Sequence, residues 1–307
     1  MIMTNGIKVK RNGFGTPLHP FQIISWVVAT FHLFLSSIVI VTMLDITPRI
    51  IFGVGFFTSK AFLIILAYKA TKSDPTDLWP NQHKEIVSSG TQITQNCEAF
   101  CTICNCYVNP KSKHCSRCNR CVDNFDHHCK WLNNCIGKRN YKLFISLIIS
   151  LEINLSILLA FSIFLIDEYY NNYDEFHKRA TEKFDFCDPI IVLIWIIAIT
   201  SGISFIADTY LICLHIYLKK LGMTTFDYIL HKQSQAENKN KRNAFRERGV
   251  VTPDENLEVP AAKPRNIGKL STPYPDTGGV NTPGVLDLHF DETELRYSRN
   301  TSLAHLA

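Results

Sequence analysis

With 307 residues, a formal net charge of +5 and 46% hydrophobic residues, the chain has the bulk composition of two soluble domains. The distribution of those residues excludes such a fold. The apolar residues are clumped into four long runs, and four buried helices of that length would leave too little chain to cover them.

In chain order, residues 1–20 are a polar tail. "FQIISWVVATFHLFLSSIVIVTML" (Phe21–Leu44) then runs without a formal charge, and "IIFGVGFFTSKAFLIILAY" (Ile50–Tyr68) carries only Lys60. A cysteine-rich polar segment fills 71–142. "LFISLIISLEINLSILLAFSIFLI" (Leu143–Ile166) carries only Glu152, and "IIVLIWIIAITSGISFIA" (Ile190–Ala207) carries no charge. A bilayer core requires about 20 apolar residues as helix, so the expected fold is an all-α polytopic membrane protein with four transmembrane helices. Helices one and two fall in 21–70, and helices three and four in 143–218 around a loop at 167–188. The first run is too long for a signal peptide, and "DITPR" after it lacks a small-residue cleavage site. The fourth helix is expected to continue as "DTYLICLHIYLKK". Residues 219–235 form a membrane-proximal segment, and from 236 to 307 the Asn, Lys, Pro, Gly and Ser content points to disorder. No internal repeat is evident.

Orientation follows from Lys and Arg beside the spans. The N-terminal tail has Lys8, Lys10 and Arg11. The loop between helices two and three has Lys69, Lys72, Lys111, Lys113, Arg117, Arg120, Lys130, Lys138, Arg139 and Lys142, and the C-terminal tail opens with Lys219 and Lys220. The loop Asp167–Asp188 is mostly acidic. Both tails and the cysteine-rich loop are therefore expected in the cytosol and the acidic loop in the lumen. In that reducing compartment, clustered cysteines read as metal ligands or reactive thiols rather than disulfides.

The cysteine-rich loop reads Cys101-x2-Cys104, His114-Cys115-x2-Cys118-x2-Cys121, His127-His128-Cys129 and Cys135. C-x2-C pairs at this density signal zinc. With few hydrophobic residues between them, metal binding supplies the folding free energy, on the order of 10 kcal/mol per site. The loop holds more good ligands than the eight that two tetrahedral zinc ions take. A RING-type ubiquitin ligase also interleaves two zinc sites, but its second half ends in another C-x2-C pair, which this chain lacks. In Asp126-His127-His128-Cys129, a thiol lies beside an imidazole that can deprotonate it, and a carboxylate can fix that imidazole's tautomer. Three thiolates on Zn²⁺ leave each Cys3His site with a formal charge of −1, so thiol activation falls to His127 and to cations such as Lys130.

The stretch "DHHCKWLNNC", inside a cysteine-rich domain (about 95–142) between the second and third helices, resembles the DHHC family of protein S-acyltransferases. Two smaller marks agree. "SDPTD" is similar to the family's Asp-Pro-Gly motif, with Thr76 where Gly is usual. "TTFDY" is similar to its Thr-Thr-x-Glu motif, with Asp227 in place of Glu. The resemblance covers roughly 20–230. It implies a first zinc on Cys101, Cys104, His114 and Cys121 and a second on Cys115, Cys118, His128 and Cys135. Cys129 is then the free nucleophile, His127 its base and Asp126 the group that orients the base. Thr225 is implied to contact the catalytic Asp–His end, and Trp131 to lie against the acyl chain. Lys130 stands where proline is common. Cys97 and Cys106 are spare thiols that could themselves be acylated.

The resemblance further implies ping-pong transfer of a long-chain acyl group from acyl-CoA (palmitoyl-CoA), through a Cys129 thioester, to cysteines of proteins near the cytosolic membrane face. Lipid bilayer and acyl-CoA are the expected partners, with no nucleic acid. An endomembrane (Golgi or ER) is the expected site, with the plasma membrane as the alternative. Asn154, about 16 Å into helix three at 1.5 Å per residue, is a candidate for the end of the acyl-chain cavity, with an interhelical hydrogen bond as the other reading. Glu152 is expected to pair with another helix or be neutral, and Asp208 to lie ordinarily at the cytosolic end of helix four. The rival function is a zinc-folded membrane scaffold without turnover. The altered Asp-Pro-Thr and Thr-Thr-x-Asp motifs fit it, whereas intact Asp126, His127 and Cys129 argue against it. A transporter would need paired intramembrane charges or broken helices, and neither is evident.

Overall fold

A computed structural model of the protein describes residues 9–78, 99–184 and 188–247. Among these, four helices are long and apolar enough to cross a membrane: α1 (Pro20–Met43), α2 (Ile46–Lys72), α3 (Tyr141–Asn171) and α5 (Asp188–Leu221, apolar from Pro189). Six short strands make three antiparallel hairpins between α2 and α3: β1 (Ala99–Cys101) with β2 (Cys106–Val108), β3 (Lys113–Cys115) with β4 (Arg120–Val122), and β5 (His127–Cys129) with β6 (Asn134–Ile136). The small domain is thus β-hairpins carried by an otherwise helical chain. Its first two hairpins have few apolar residues for a core of their own, which leaves local turns and ligand groups to hold them. Cys97 and residues 248–307 lie outside the described residues.

The chain divides into two compact units. One comprises Lys10–Pro75 and Asp126–Leu221, so it joins the third hairpin to the spanning helices. The other runs from Thr76 to Phe125, with the first two hairpins, and from Gly222 on. The boundary between the units falls at Phe125–Asp126, within the cysteine-rich region.

In the helical unit, Phe52 and Phe56 of α2 stack at 5.0 Å and Phe161 of α3 meets Phe52 edge-on at 5.0 Å. Leu158, Leu165, Ile190, Ile194 and Ile197 close the same buried cluster. The acidic loop after α3 contains a further helix, α4 (Tyr173–Phe184), whose Phe176 and Ala180 are fully buried in that cluster. Arg179 on α4 joins Asp45 (3.0 Å) and Glu168. Burial works against its charge, but those two carboxylates outweigh burial and raise its pKa.

Polar residues of the spans are bonded between helices. His32 Nε2 lies 2.9 Å from Thr200 Oγ1. Asn154, the candidate for an acyl cavity, is fully buried and donates to Ser59 Oγ (2.8 Å) and the Phe56 carbonyl (3.4 Å) of α2. Thr209 of α5 donates to Glu152, the pairing with another helix that the sequence suggested. Lys60 is 5% exposed, with Nζ 5.3 Å from the Phe56 ring centre. The fourth helix runs on to Leu221 as the sequence suggested, so Asp208 falls inside it, 6% exposed.

One expectation is corrected in the C-terminal segment. Helix α6 (Thr225–Glu247) extends through residues expected to be disordered from 236. Its Gln, Glu, Lys, Arg and Ala content favours helix. Thr224 and Asp227 start it with a capping box: Thr224 Oγ1 accepts from Asp227 N (3.1 Å), and the Asp227 carboxylate accepts from Thr224 N (3.3 Å). Asp227, standing where glutamate is usual, still performs this reciprocal bond.

Candidate metal and thiol site

The three hairpins follow one plan, repeated every 14 residues. Cys101, Cys115 and Cys129 end the first strands and pair across to Cys106, Arg120 and Asn134. The four-residue loops between them are "TICN", "SRCN" and "KWLN". Each ends in an asparagine with positive φ: Asn105 at 50°, Asn119 at 48° and Asn133 at 51°. Asparagine is the non-glycine residue that tolerates this left-handed conformation best, because its short amide can bond locally. The strands close on Val108, Val122 and Ile136, all buried. This period corrects the expectation of no internal repeat. Its signal was the spacing of Cys101, Cys115 and Cys129, obscured because the positions between them change chemistry.

Those changes place the metal ligands. The middle cross-strand pair is Phe100–Tyr107 in the first hairpin, His114–Cys121 in the second and His128–Cys135 in the third. The loop cysteine is Cys104, then Cys118, then Leu132. Cys101, Cys104, His114 and Cys121, all within one unit, form a group of donors that could hold a metal ion; the family resemblance assigns a second group to Cys115, Cys118, His128 and Cys135. Each combines the C-x2-C of one hairpin with the His/Cys pair of the next. The third hairpin has the first cysteine of a C-x2-C, Cys129, but Leu132 in place of the second. Cys129 occupies a ligand position in the repeat while belonging to neither donor group.

The first group has the chemistry of a zinc site. His114 Nδ1 lies 3.8 Å from Cys101 Sγ, 3.3 Å from Cys104 Sγ and 3.9 Å from Cys121 Sγ. Cys104 and Cys121 sulfurs are 3.7 Å apart. Cys104 N–H donates to Cys101 Sγ at 3.4 Å, a bond that stabilises a thiolate. Thiols this close cannot all ionise unaided. Hydrogen bonds from Cys104 and Cys121 push the Cys101 thiol down; Cys101 and Cys106 push Cys104 up, and Cys101 pushes Cys121 up. A divalent cation resolves that conflict by binding every thiolate at once, so the residues fit zinc. Cys106, a spare thiol in the sequence, is thus a fourth sulfur beside this group.

The "SDPTD" segment fastens to the second hairpin within the same unit. Thr76 forms a bridge to Val122, and Asp77 N donates to the Cys121 carbonyl at 2.9 Å. The buried Asp77 carboxylate accepts from Asn109 N (2.8 Å) and Ser112 Oγ (2.6 Å). Thr76, where glycine is usual, uses its hydroxyl to accept from Arg120 at 3.2 Å. Thr225 is buried in the first turn of α6, beside Phe226, whose ring meets Phe125 at 5.7 Å.

In the helical unit, Asp126 (3% exposed) and Cys129 (7% exposed) lie on the third hairpin. Asp126 Oδ2 is 2.7 Å from His127 Nδ1. His128, on the same strand, turns to its own cross-strand partner, with Cys135 Sγ 3.6 Å from Nδ1. The alternation of a strand thus separates the two histidines, as adjacent side chains require. Burial works against a charged His127, but the Asp126 carboxylate and the Cys129 sulfur outweigh it and raise its pKa from 6.5 to about 9. Trp131, expected against an acyl chain, is 53% exposed and stacks on Phe21 of α1 at 5.1 Å.

Asparagines bolt this hairpin to helix ends, a role the sequence did not reveal. Asn134 Nδ2 donates to the Ala70 (3.1 Å) and Ser73 (2.9 Å) carbonyls at the end of α2. Asn140 Nδ2 donates to the Cys135 carbonyl and to Ser73 Oγ, both at 2.9 Å. Asn133 and Gln22 reach the Gly13 carbonyl at 3.3 and 3.1 Å. Gly13 itself lies so close that a Cβ there would stand 2.0 Å from the Leu132 carbonyl oxygen. Only glycine allows that approach.

A family model described as "DHHC palmitoyltransferase" matches residues 94–232. Palmitoyltransferase ZDHHC11 of Mus musculus is 32% identical over 250 residues, covering 71% of this chain and 70% of its own length. Palmitoyltransferase ZDHHC11 of Homo sapiens is 30% identical over 261 residues, covering 75% and 61%. Palmitoyltransferase ZDHHC1 of Homo sapiens is 30% identical over 262 residues, covering 76% and 53%. The chain spans about three fifths of the length of the human and Danio rerio ZDHHC11 relatives.

Proposed function

Because the chain belongs to the DHHC palmitoyltransferase family, we propose that it is a protein S-acyltransferase that moves a long-chain acyl group from acyl-CoA to protein cysteines through a thioester on Cys129. The observation that carries this reading is the buried Cys129 thiol at a ligand position without a ligand set, beside the Asp126–His127 pair at 2.7 Å.

In the first half-reaction His127 takes the Cys129 proton, and a base with a pKa of about 9 keeps it at neutral pH. The sulfur attacks the acyl-CoA thioester carbonyl. The C–S bond to coenzyme A breaks, and the coenzyme thiolate leaves with a proton. In the second half, a thiolate of the acceptor protein attacks the Cys129 thioester, and Cys129 is released. Asp126 holds the His127 ring and balances its charge throughout. One thioester replaces another, so the driving force lies in the product: each buried methylene of the chain adds about 0.8 kcal/mol to membrane anchoring.

Zinc, held by Cys101, Cys104, His114 and Cys121 and by Cys115, Cys118, His128 and Cys135, supplies folding energy rather than chemistry. Lys and Arg bias beside the spans supports a cytosolic site, where Thr225 and Trp131 would support the catalytic end and the acyl chain. The test is incubation of the purified protein with labelled palmitoyl-CoA. A hydroxylamine-sensitive adduct on Cys129 is the expected result. A protein that holds zinc and forms no such adduct would instead be a zinc-folded scaffold.

A further inference from the structure

Two polar side chains stand beside the Asp126–His127 pair and have no part in the chemistry above. Tyr141 opens α3, and His215 lies in the last two turns of α5. Both belong to the helical unit. His215 is 4% exposed, and its Nδ1 is 3.2 Å from the Tyr141 hydroxyl. Its ring centre lies 5.1 Å from Phe144, with the planes at 68°. Phe144 in turn meets the His127 ring edge-on at 5.2 Å and 72°. The two imidazole centres are 6.1 Å apart. Tyr141, His215, Phe144 and His127 therefore form one packed set where α3 and α5 meet the third hairpin.

An apolar side chain would fill the place of His215 without the cost of burying an imidazole. Polar groups buried in a spanning helix are commonly functional. The hydrogen bond also fixes the ring's orientation: His215 cannot rotate without losing Tyr141.

We infer that Tyr141 and His215 are positioning residues for the acyl-transfer site: Tyr141 locks the His215 ring, and His215 with Phe144 holds the His127 ring where Nδ1 meets Asp126 and Nε2 is turned to Cys129. The inference rests on the proposed role of Cys129. A small rotation of His127 would break one of its two alignments, and misplacement of about 1 Å can cost about 100-fold in rate.

The test uses full-length Tyr141→Phe, His215→Gln and His215→Leu, with single-turnover autoacylation by palmitoyl-CoA, zinc content and Tm measured on each. Tyr141→Phe, which removes one oxygen, should slow acylation about fivefold, and His215→Leu about 30-fold. The KM for palmitoyl-CoA, two zinc ions per chain and Tm should stay as in the wild type. His215→Gln, which keeps a polar amide able to bond the Tyr141 hydroxyl, should recover part of the loss. His215→Leu at wild-type rate would make the residue mere packing and overturn the inference. So would a full-rate Tyr141→Phe, or a rate loss accompanied by loss of zinc. If the wild type forms no acyl-enzyme at all, it is the reading of Cys129 that fails.

Discussion

The first and third hairpins share a backbone plan and differ in what holds them. In the first, Cys101 and Cys104 both face the donor group, and the middle pair is the exposed Phe100 and Tyr107, at 48% and 43%. Its cysteines join a donor group that fits a metal ion, whose binding would stabilise the hairpin. In the third, Leu132 replaces the loop cysteine and is buried with Ile136, Phe144 and Leu147. Asn133 and Asn134 add bonds to the N-terminal segment and the end of α2. Helix ends and apolar packing do there what a metal ion would do in the first hairpin. A thiol in a ligand position can be left free when something other than metal holds its loop.

The largest expected effects come from exchanging those roles. Cys129→Ser should abolish the acyl-enzyme while keeping both zinc ions and the fold. Cys104→Ser should lose one zinc and several kcal/mol of domain stability, on the order of the binding energy of a structural site. Zinc-to-protein ratios and hydroxylamine-sensitive labelling, read on both variants, separate the two outcomes. An equal zinc loss in each would erase the distinction between the hairpins.

His127→Ala should slow autoacylation about 100-fold at pH 7, at the lower end of the range for a general base. The gap should narrow above about pH 9, where hydroxide forms the thiolate unaided and wild-type His127 loses its own proton. The linkage sign is definite. A folded pKa of about 9, above the ordinary 6.5, means His127 contributes stability in full below 6.5 and loses it as pH rises through 9. The Tm difference between wild type and variant should therefore shrink over that window, as thermal melts across pH 6–10 would reveal.

Leu132→Cys restores the missing loop cysteine of the third hairpin. It should let Cys129 share a thiophilic ion, so micromolar zinc or cadmium should inhibit the variant about tenfold more than the wild type, reversibly with chelator. Metal-indifferent acylation by this variant would mean that the repeat does not explain the free thiol.

Smaller effects belong to the bolts. Asn134→Ala removes donors from three α2-end carbonyls and should cost about 1–3 kcal/mol. Asn154→Ala should cost about 1 kcal/mol, as interhelical bonds in membranes do. Because its amide is already engaged with Ser59 and Phe56, acyl-chain length preference should not move. Competition among acyl-CoAs of different length checks that.

The four spans were legible because the bilayer writes its thickness into apolar run length. The cysteine and histidine donors stood out in the sequence because metal ligation needs particular residue types, and Asp126, His127 and Cys129, whose roles are proposed, stood out because a nucleophile needs a base beside it. The interleaving of the donors came only from family resemblance. It becomes physical once the hairpin register pairs His114 with Cys121 and His128 with Cys135. Tyr141 and His215 stayed hidden because their contact joins residues 74 positions apart, each ordinary on its own helix. Helix α4 was missed because net acidity masked the buried Phe176 and Ala180. The end of α6 was missed because composition was weighed above its capping box.

The most direct test is native mass spectrometry of the full-length protein after exposure to palmitoyl-CoA. The predicted species carries two zinc ions and one acyl group on the same molecule, because the acylated thiol binds no metal. If the acyl group appeared only on molecules that had lost a zinc ion, Cys129 would be a ligand and the account would be contradicted.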